Sequence, residues 1–98
     1  MEGVYKFRFK ENVPSKDVEE NLFWAVFNTE SIFGKPRVRL DASFIFDRDK
    51  KVCVIDKGTE VGQHIAQVFM SLITREFGEQ AFKVERLATK EKLNHDRK

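Results

Sequence analysis

The chain has 98 residues, 41% of them hydrophobic, with 18 Lys and Arg against 16 Asp and Glu for a net charge of +2. That length makes one domain with a core large enough to fold without covalent staples, and the lone cysteine, Cys53, excludes an internal disulfide framework and suits a reducing compartment. The opening MEGVYKFRFKE has no apolar signal region, and no apolar run approaches the ~18 residues needed to span a bilayer, so a soluble, cytoplasmic protein without a membrane partner is expected. The basic excess does not point to nucleic acid. Lys90, Lys92, Arg97 and Lys98 against Glu91 and Asp96 account for all of the net charge, so residues 1–87 are neutral. The predicted organisation is one domain over residues 1–87 and a charged, disordered tail over 88–98.

Val4 to Lys10 alternates, with Tyr5, Phe7 and Phe9 on one face and Val4, Lys6, Arg8 and Lys10 on the other. This predicts a first strand whose aromatic face is buried, because three basic residues cannot be the core set. Asn12-Val13-Pro14-Ser15 breaks the strand, and Ser15 is the expected N-cap of a helix from about Lys16 to Phe33. Asp17, Glu19 and Glu20 put negative charge at its positive end. Gly34 supplies the stop and Pro36 prevents continuation. Val18, Leu22, Ala25, Val26, Thr29 and Phe33 form the stripe expected to face a sheet.

Arg37 to Asp47 alternates again, which predicts a long second strand with Val38, Leu40, Ala42, Phe44 and Phe46 facing the core and Arg37, Arg39, Asp41, Ser43 and Ile45 facing away. A polar turn leads into Lys51 to Asp56, so the two strands read as a hairpin. A two-residue turn at Asp49-Lys50 puts Cys53 and Ile55 in the core; a turn one residue longer puts Val52 and Val54 there. Thr59 is the expected N-cap of a second helix whose core stripe is Val61, Ile65, Val68, Phe69 and Leu72, with Met70, Ile73 and Phe77 off the stripe. Gly78 ends it, and Ala81 to Leu87 forms the last strand, Phe82 and Val84 inward, Lys83 and Glu85 outward.

The resulting β-α-β-β-α-β order over residues 4 to 87 resembles the ferredoxin-like architecture. The resemblance implies an α+β two-layer sandwich, a four-stranded antiparallel sheet of order 4-1-3-2 with two helices on one face. The resemblance is one of pattern and brings no motif with it. The first strand leads into KENVPS, not into the glycine-rich turn of acylphosphatases or of ACT-type regulatory modules, and the CxxC of heavy-metal carriers is absent.

Because such a frame hosts many activities, function must come from a site. Cys53, Asp56 and His64 are the only candidates for a catalytic group or a ligand sensor. However, Cys53 inside VCVI reads as a small buried hydrophobe and His64 as a satisfied structural histidine. Cys53, His64 and His95 do not supply the three or four ligands of a metal site, and no cofactor is expected. The glycines of Gly58-Thr59-Glu60-Val61-Gly62 read as turn and cap chemistry, since Glu60 would repel a phosphate. Asp47 and Asp49 alternate with Arg48, Lys50 and Lys51, as on an exposed polar hairpin.

Two surfaces remain. The open face of the sheet carries Lys6, Arg8 and Lys10 with Arg37 and Arg39, the basis for nucleic-acid binding as the alternative function. Its first strand turns its aromatics inward, so the base-stacking platform of RNA-recognition motifs is missing, and cross-strand ion pairs explain the face as well. The first helix, in contrast, carries more apolar residues than one face can bury. Phe23, Trp24 and Phe27 lie about 100–130° or more from the stripe. They either fill the seam between the helices or, joined by Met70 of the second helix, form a protein–protein interface. The long second strand is also an edge that can pair with its own copy, and Ile45 beside Val52 and Val54 is a second apolar spot. The leading expectation is a non-enzymatic interaction or regulatory module that self-associates, as a homodimer, through the outward aromatics of the first helix.

Overall fold

A computed structural model describes residues 3–88; the charged tail expected from Ala88 to Lys98 lies outside them from residue 89 on. In chain order the elements are strand β1 (Val4–Phe9), helix α1 (Ser15–Phe33), helix α2 (Lys35–Asp41), strands β2 (Phe44–Asp47) and β3 (Val52–Asp56), helix α3 (Glu60–Phe77), a single 3-10 turn (Glu79–Ala81) and strand β4 (Phe82–Leu87). The strands form one antiparallel open sheet in the order β2-β3-β1-β4. The α+β class and the strand order agree with the sequence reading. The number of helices does not, because the described residues form three.

The extra helix replaces the first half of the expected second strand. Pro36 sits in its first turn, where a missing N–H costs nothing and a fixed φ favours helix. Arg37 and Asp41 then pair at the i,i+4 spacing, Nε to Oδ2 at 3.4 Å. Val38 is buried while Leu40, two residues on, is 84% exposed. One contact per turn is helical burial, and the apparent alternation of Val38, Leu40 and Ala42 is incidental to it. Of the predicted strand only Phe44–Asp47 forms strand, with Ser43 before it bonded to Asp56 N–H.

The register of the sheet fixes its two faces. Phe7 stands opposite Cys53, and Tyr5 opposite Ile55. These side chains, with Phe9, Phe82 and Val84, face the helices, and Phe7 packs edge-on against Phe69 of α3 with centroids 5.0 Å apart. Asp47 pairs with Val52, so the hairpin turn is four residues long, Arg48 to Lys51. Its parity is that of the two-residue alternative, and Cys53 and Ile55 are fully buried. Asp47 Oδ1 accepts from the backbone N–H of Asp49 and of Lys50 at 3.1 Å, and Lys51 takes a left-handed φ of 57°.

Two expectations about caps divide. Thr59 caps α3 as expected, its Oγ1 accepting from Gly62 N–H at 3.0 Å and donating to Asp41 C=O at 3.1 Å. Ser15 makes no cap bond. Its hydroxyl donates to Arg48 C=O at 3.1 Å and lies 3.4 Å from Lys51 Nζ, so it ties α1 to the hairpin turn instead. Gly62 is required by close approach: a Cβ there would lie 1.9 Å from the Asp56 carbonyl oxygen. The stripe of α3 is rotated from the predicted one. Ile65, Ala66, Phe69 and Ile73 are buried, and Val68 and Leu72 only partly. Ile73 thus belongs to the core, because α3 is covered by the sheet below and by α1 on one flank.

Candidate functional site

The three residues that sequence alone offers as a catalytic group are each engaged separately. Cys53 is fully buried between Phe7 and Phe46 in the sheet, and burial pushes its thiol up to about 12. Such a thiol is not the accessible, low-pKa nucleophile that covalent catalysis needs. Asp56 Oδ1 accepts from Gly58 N–H at 2.9 Å in the turn before α3. His64 Nδ1 lies 2.9 Å from Thr29 Oγ1, which is also 2.8 Å from the Ala25 carbonyl. A carbonyl only accepts, so the single hydroxyl proton goes to Ala25 and Nδ1–H must donate to Thr29. His64 is therefore part of the seam between α1 and α3, with Phe33 edge-on to its ring at 5.7 Å. Among the described residues no group of three or more His, Cys, Asp or Glu side chains is placed to hold a metal ion.

The basic surface is divided by the extra helix. Lys6 and Arg8 stand on the open face of the sheet, in register with Glu85 and Lys83 of β4, and Arg8 Nε lies 3.7 Å from Glu85 Oε1. Lys10 follows β1. Arg37 and Arg39, expected on the same face, are on α2, which packs with α1 and α3 on the opposite side. Arg37 Nη2 is 2.9 Å from Glu60 Oε1, and its guanidinium lies 4.9 Å from the centre of the Phe33 ring. The bonds to Glu60 and then Asp41 hold it above its ordinary pKa. The five residues do not form one patch.

The seam between the long helices is filled by polar and small side chains. Asn21 Nδ2 donates to Glu76 Oε1 and to Asp17 C=O, both at 2.9 Å, and Ala25 and Thr29 are fully buried. Phe23, Trp24 and Phe27 are not in that seam. They are 61, 51 and 54% exposed and touch one another: Phe23 stacks on Phe27 with centroids 6.3 Å apart and planes 11° apart, and Trp24 is edge-on to both. Phe27 lies opposite the stripe formed by Val18, Leu22, Ala25 and Thr29. Phe23 leans over the sheet edge, where a groove of about 300 Å3 is lined by Glu19, Leu22, Phe23, Val26 and Phe44. The hairpin turn that positions Phe44 is held to α1 by the Ser15 bond and by Arg48 3.8 Å from Glu19, and to the loop before α1 by Lys51 Nζ donating to Val13 C=O.

Met70, grouped with these aromatics from the sequence, lies elsewhere. It lines a groove of about 650 Å3 on the far flank of α3, with Tyr5, Phe7, Gln67, Val84 and Arg86. The signal for that groove was Arg86, a charge at the helix-facing parity of β4 after Phe82 and Val84. The apolar edge was also partly missed. Phe44 has the inward parity expected of it yet is 41% exposed, since β2 ends the sheet and α1 does not reach over it. Ile45 is 66% exposed on the open face, opposite Val54 as its register predicted.

The fold and these surfaces define an α+β protein with a four-stranded antiparallel open sheet, three helices and a continuous apolar face running from α1 to the β2 edge. No family model matches the chain, and no curated protein or solved structure matches it.

Proposed function

We propose that this chain is a non-enzymatic interaction module that self-associates as a homodimer through the aromatic face of α1. The observation that carries the reading is the mutual packing of Phe23, Trp24 and Phe27 at half exposure or more, outside the seam between the long helices. Three neighbouring rings in water form a patch of the kind that marks a partner surface, and Trp and Phe are residues enriched in interface centres. The separate engagement of Cys53, Asp56 and His64 supports the non-enzymatic half of the reading. The β-α-β-β-α-β frame, with α2 added in the connection to β2, supports a ferredoxin-like sandwich. The reduced, buried thiol fits a cytoplasmic setting.

Sedimentation equilibrium on the wild type and on Phe27→Asp tests it. The expected result is a concentration-dependent dimer for the wild type and a folded monomer for the variant. Two monomeric proteins, or a variant that dimerises as well as the wild type, would overturn the reading. Loss of folding in the variant would also do so, by placing Phe27 in the core.

A further inference from the structure

The edge strand beside the aromatic face is self-complementary in a way that fixes how two copies would meet. Asp56 N–H donates to Ser43 C=O at 2.8 Å, so Ser43 and Asp56 are a hydrogen-bonded pair of the β2–β3 ladder. By alternation Ile45 and Asp47 also bond toward β3, and the N–H and C=O of Phe44 and Phe46 point off the sheet. β2 is the end of the sheet, so these four groups form a short free edge, open to a strand from outside.

A two-fold axis normal to the sheet allows three antiparallel registers that use these groups. One sets Phe44 opposite Phe44 of the second copy, which places Ile45 against Ser43 and Phe46 against Ala42. Ala42 N–H is already given to Val38 C=O at 2.8 Å, so that register loses a bond at each end. A second sets Phe46 opposite itself and brings Asp47 against Ile45. The third sets Phe44 opposite Phe46 of the second copy and Phe46 opposite Phe44. It makes four inter-strand bonds from residues within β2 alone. Ile45 then faces Ile45 of the second copy on the axis, and Asp47, the only charged residue of the strand, faces Ser43. In this register alone every apolar side chain of the strand meets an apolar one and no like charges oppose.

We infer that the dimer forms by antiparallel pairing of β2 with β2 of a second copy in this third register, joining two sheets into one of eight strands. The inference rests on the self-association reading above and specifies its geometry. Both helix layers then lie on the same side, and Phe23, over the groove that holds Phe44, packs beside Phe46 of the second copy. The exposed parts of Phe23, Trp24, Phe27, Phe44 and Ile45 amount to about 500 Å2 of apolar surface per copy. Two copies thus supply roughly 1,000 Å2, where specific interfaces begin. The aromatic patch and the strand edge adjoin at Phe23 and Phe44, so one interface can use both. An extended peptide of another protein would use the same bonds, but no feature of the edge calls for one over the self-complementary copy.

The test uses Ile45, whose exposure on the open face makes it tolerant of change. Ile45 and its symmetry mate form a non-hydrogen-bonded pair, whose Cα atoms lie about 4.5 Å apart, within the range a disulfide spans. Ile45→Cys, mildly oxidised, is expected to give a covalent dimer on non-reducing gels at concentrations where wild type, with only the buried Cys53, gives none. Asp49→Cys, on the exposed turn and away from the axis, should cross-link far less. Ile45→Lys, which sets two ammonium groups face to face, is expected to weaken dimerisation at least tenfold while leaving far-UV circular dichroism unchanged. A wild-type dimer with no cross-link through Ile45→Cys and full association of Ile45→Lys would overturn the edge pairing while leaving the α1 interface standing. Cross-linking together with an unaffected Phe27→Asp dimer would support the edge and remove α1 from the interface. A wild type that stays monomeric throughout, including one that binds only foreign peptides, would overturn both.

Discussion

Cys53 shows how one residue's surroundings set both its chemistry and its effect on stability. Its thiol is fully buried, and desolvation raises its pKa from 9.0 to about 12. A group whose folded pKa is raised holds its proton in the native state after the unfolded chain has released it. Its contribution to stability is therefore complete below pH 9 and is lost as pH rises from 9 toward 12. Between pH 8 and pH 10.5 the loss should be about 2 kcal/mol. Urea unfolding at both pH values, compared with Cys53→Ala, isolates it: the wild type should lose that much more than the variant, since Tyr5 and the lysines are common to both. Equal losses would mean the thiol is accessible in the folded state. The burial of Cys53 was legible in VCVI once the hairpin parity was known. The parity itself was not, because the turn depends on Asp47 bonding two backbone N–H groups and on a left-handed Lys51, features that composition does not announce. Arg37 was illegible for another reason. Its partners, Phe33 and Glu60, converge on it only after α2 has formed.

At the scale of elements, the long helices, the edges of β1, β3 and β4 and the caps at Gly34, Thr59 and Gly78 follow from periodicity and punctuation. The one element of the wrong type lies in residues 35–43. Nine residues with apolar side chains at 38, 40 and 42 fit a strand by alternation, and they fit a short helix by a single contact per turn. Length favours neither. Pro36 reads equally as the end of one helix and the start of the next, and tertiary burial of Val38 against α1 and α3 decides. Mutation distinguishes the two structures. Val38→Ala should cost about 1–3 kcal/mol, as for a truncated core side chain. Leu40→Ala should stay within about 0.5 kcal/mol, as for an exposed position. Urea titrations of both variants give the answer, and similar large losses at the two positions would restore the strand. The rotation of the α3 stripe has a related cause. A helical projection finds the apolar arc, but which part of it meets the sheet depends on where α1 lies. The same limitation put Met70 with the α1 aromatics, although the two lie on opposite flanks of the helix layer.

For the whole molecule, the question is whether the apolar face left by folding is large enough to couple association to stability. Its exposed rings lie on one side, from Trp24 across Phe23 to Phe44, with Ile45 on the open face of the same sheet edge, while the opposite flank carries the mixed groove of Met70 and Arg86. The surplus on α1 was visible in the sequence, because a helix apolar on more than one face needs more than one neighbour. The second strand was also legible as an edge with Ile45 on it, but the over-long predicted strand hid the exposure of Phe44 beside Phe23. If folding and dimerisation are linked, the native state gains free energy with protein concentration and the unfolded chain does not. Each tenfold rise in concentration above the dissociation constant then adds about 0.7 kcal/mol per protomer, half the value for a tenfold change in an equilibrium constant because two chains share each interface. For a domain of this size 1 kcal/mol moves the thermal midpoint by roughly 4–8 °C. Raising the concentration a hundredfold, from 5 to 500 µM in scanning calorimetry, should accordingly raise the wild-type midpoint by about 5–10 °C, provided the dissociation constant lies near the lower concentration. Ile45→Lys and Phe27→Asp should show a nearly flat dependence and coincide with the wild type only at the dilute end. A wild-type midpoint that does not move over that range would mean that the rings stay in water, and that their mutual stacking on α1 is the only contact they make.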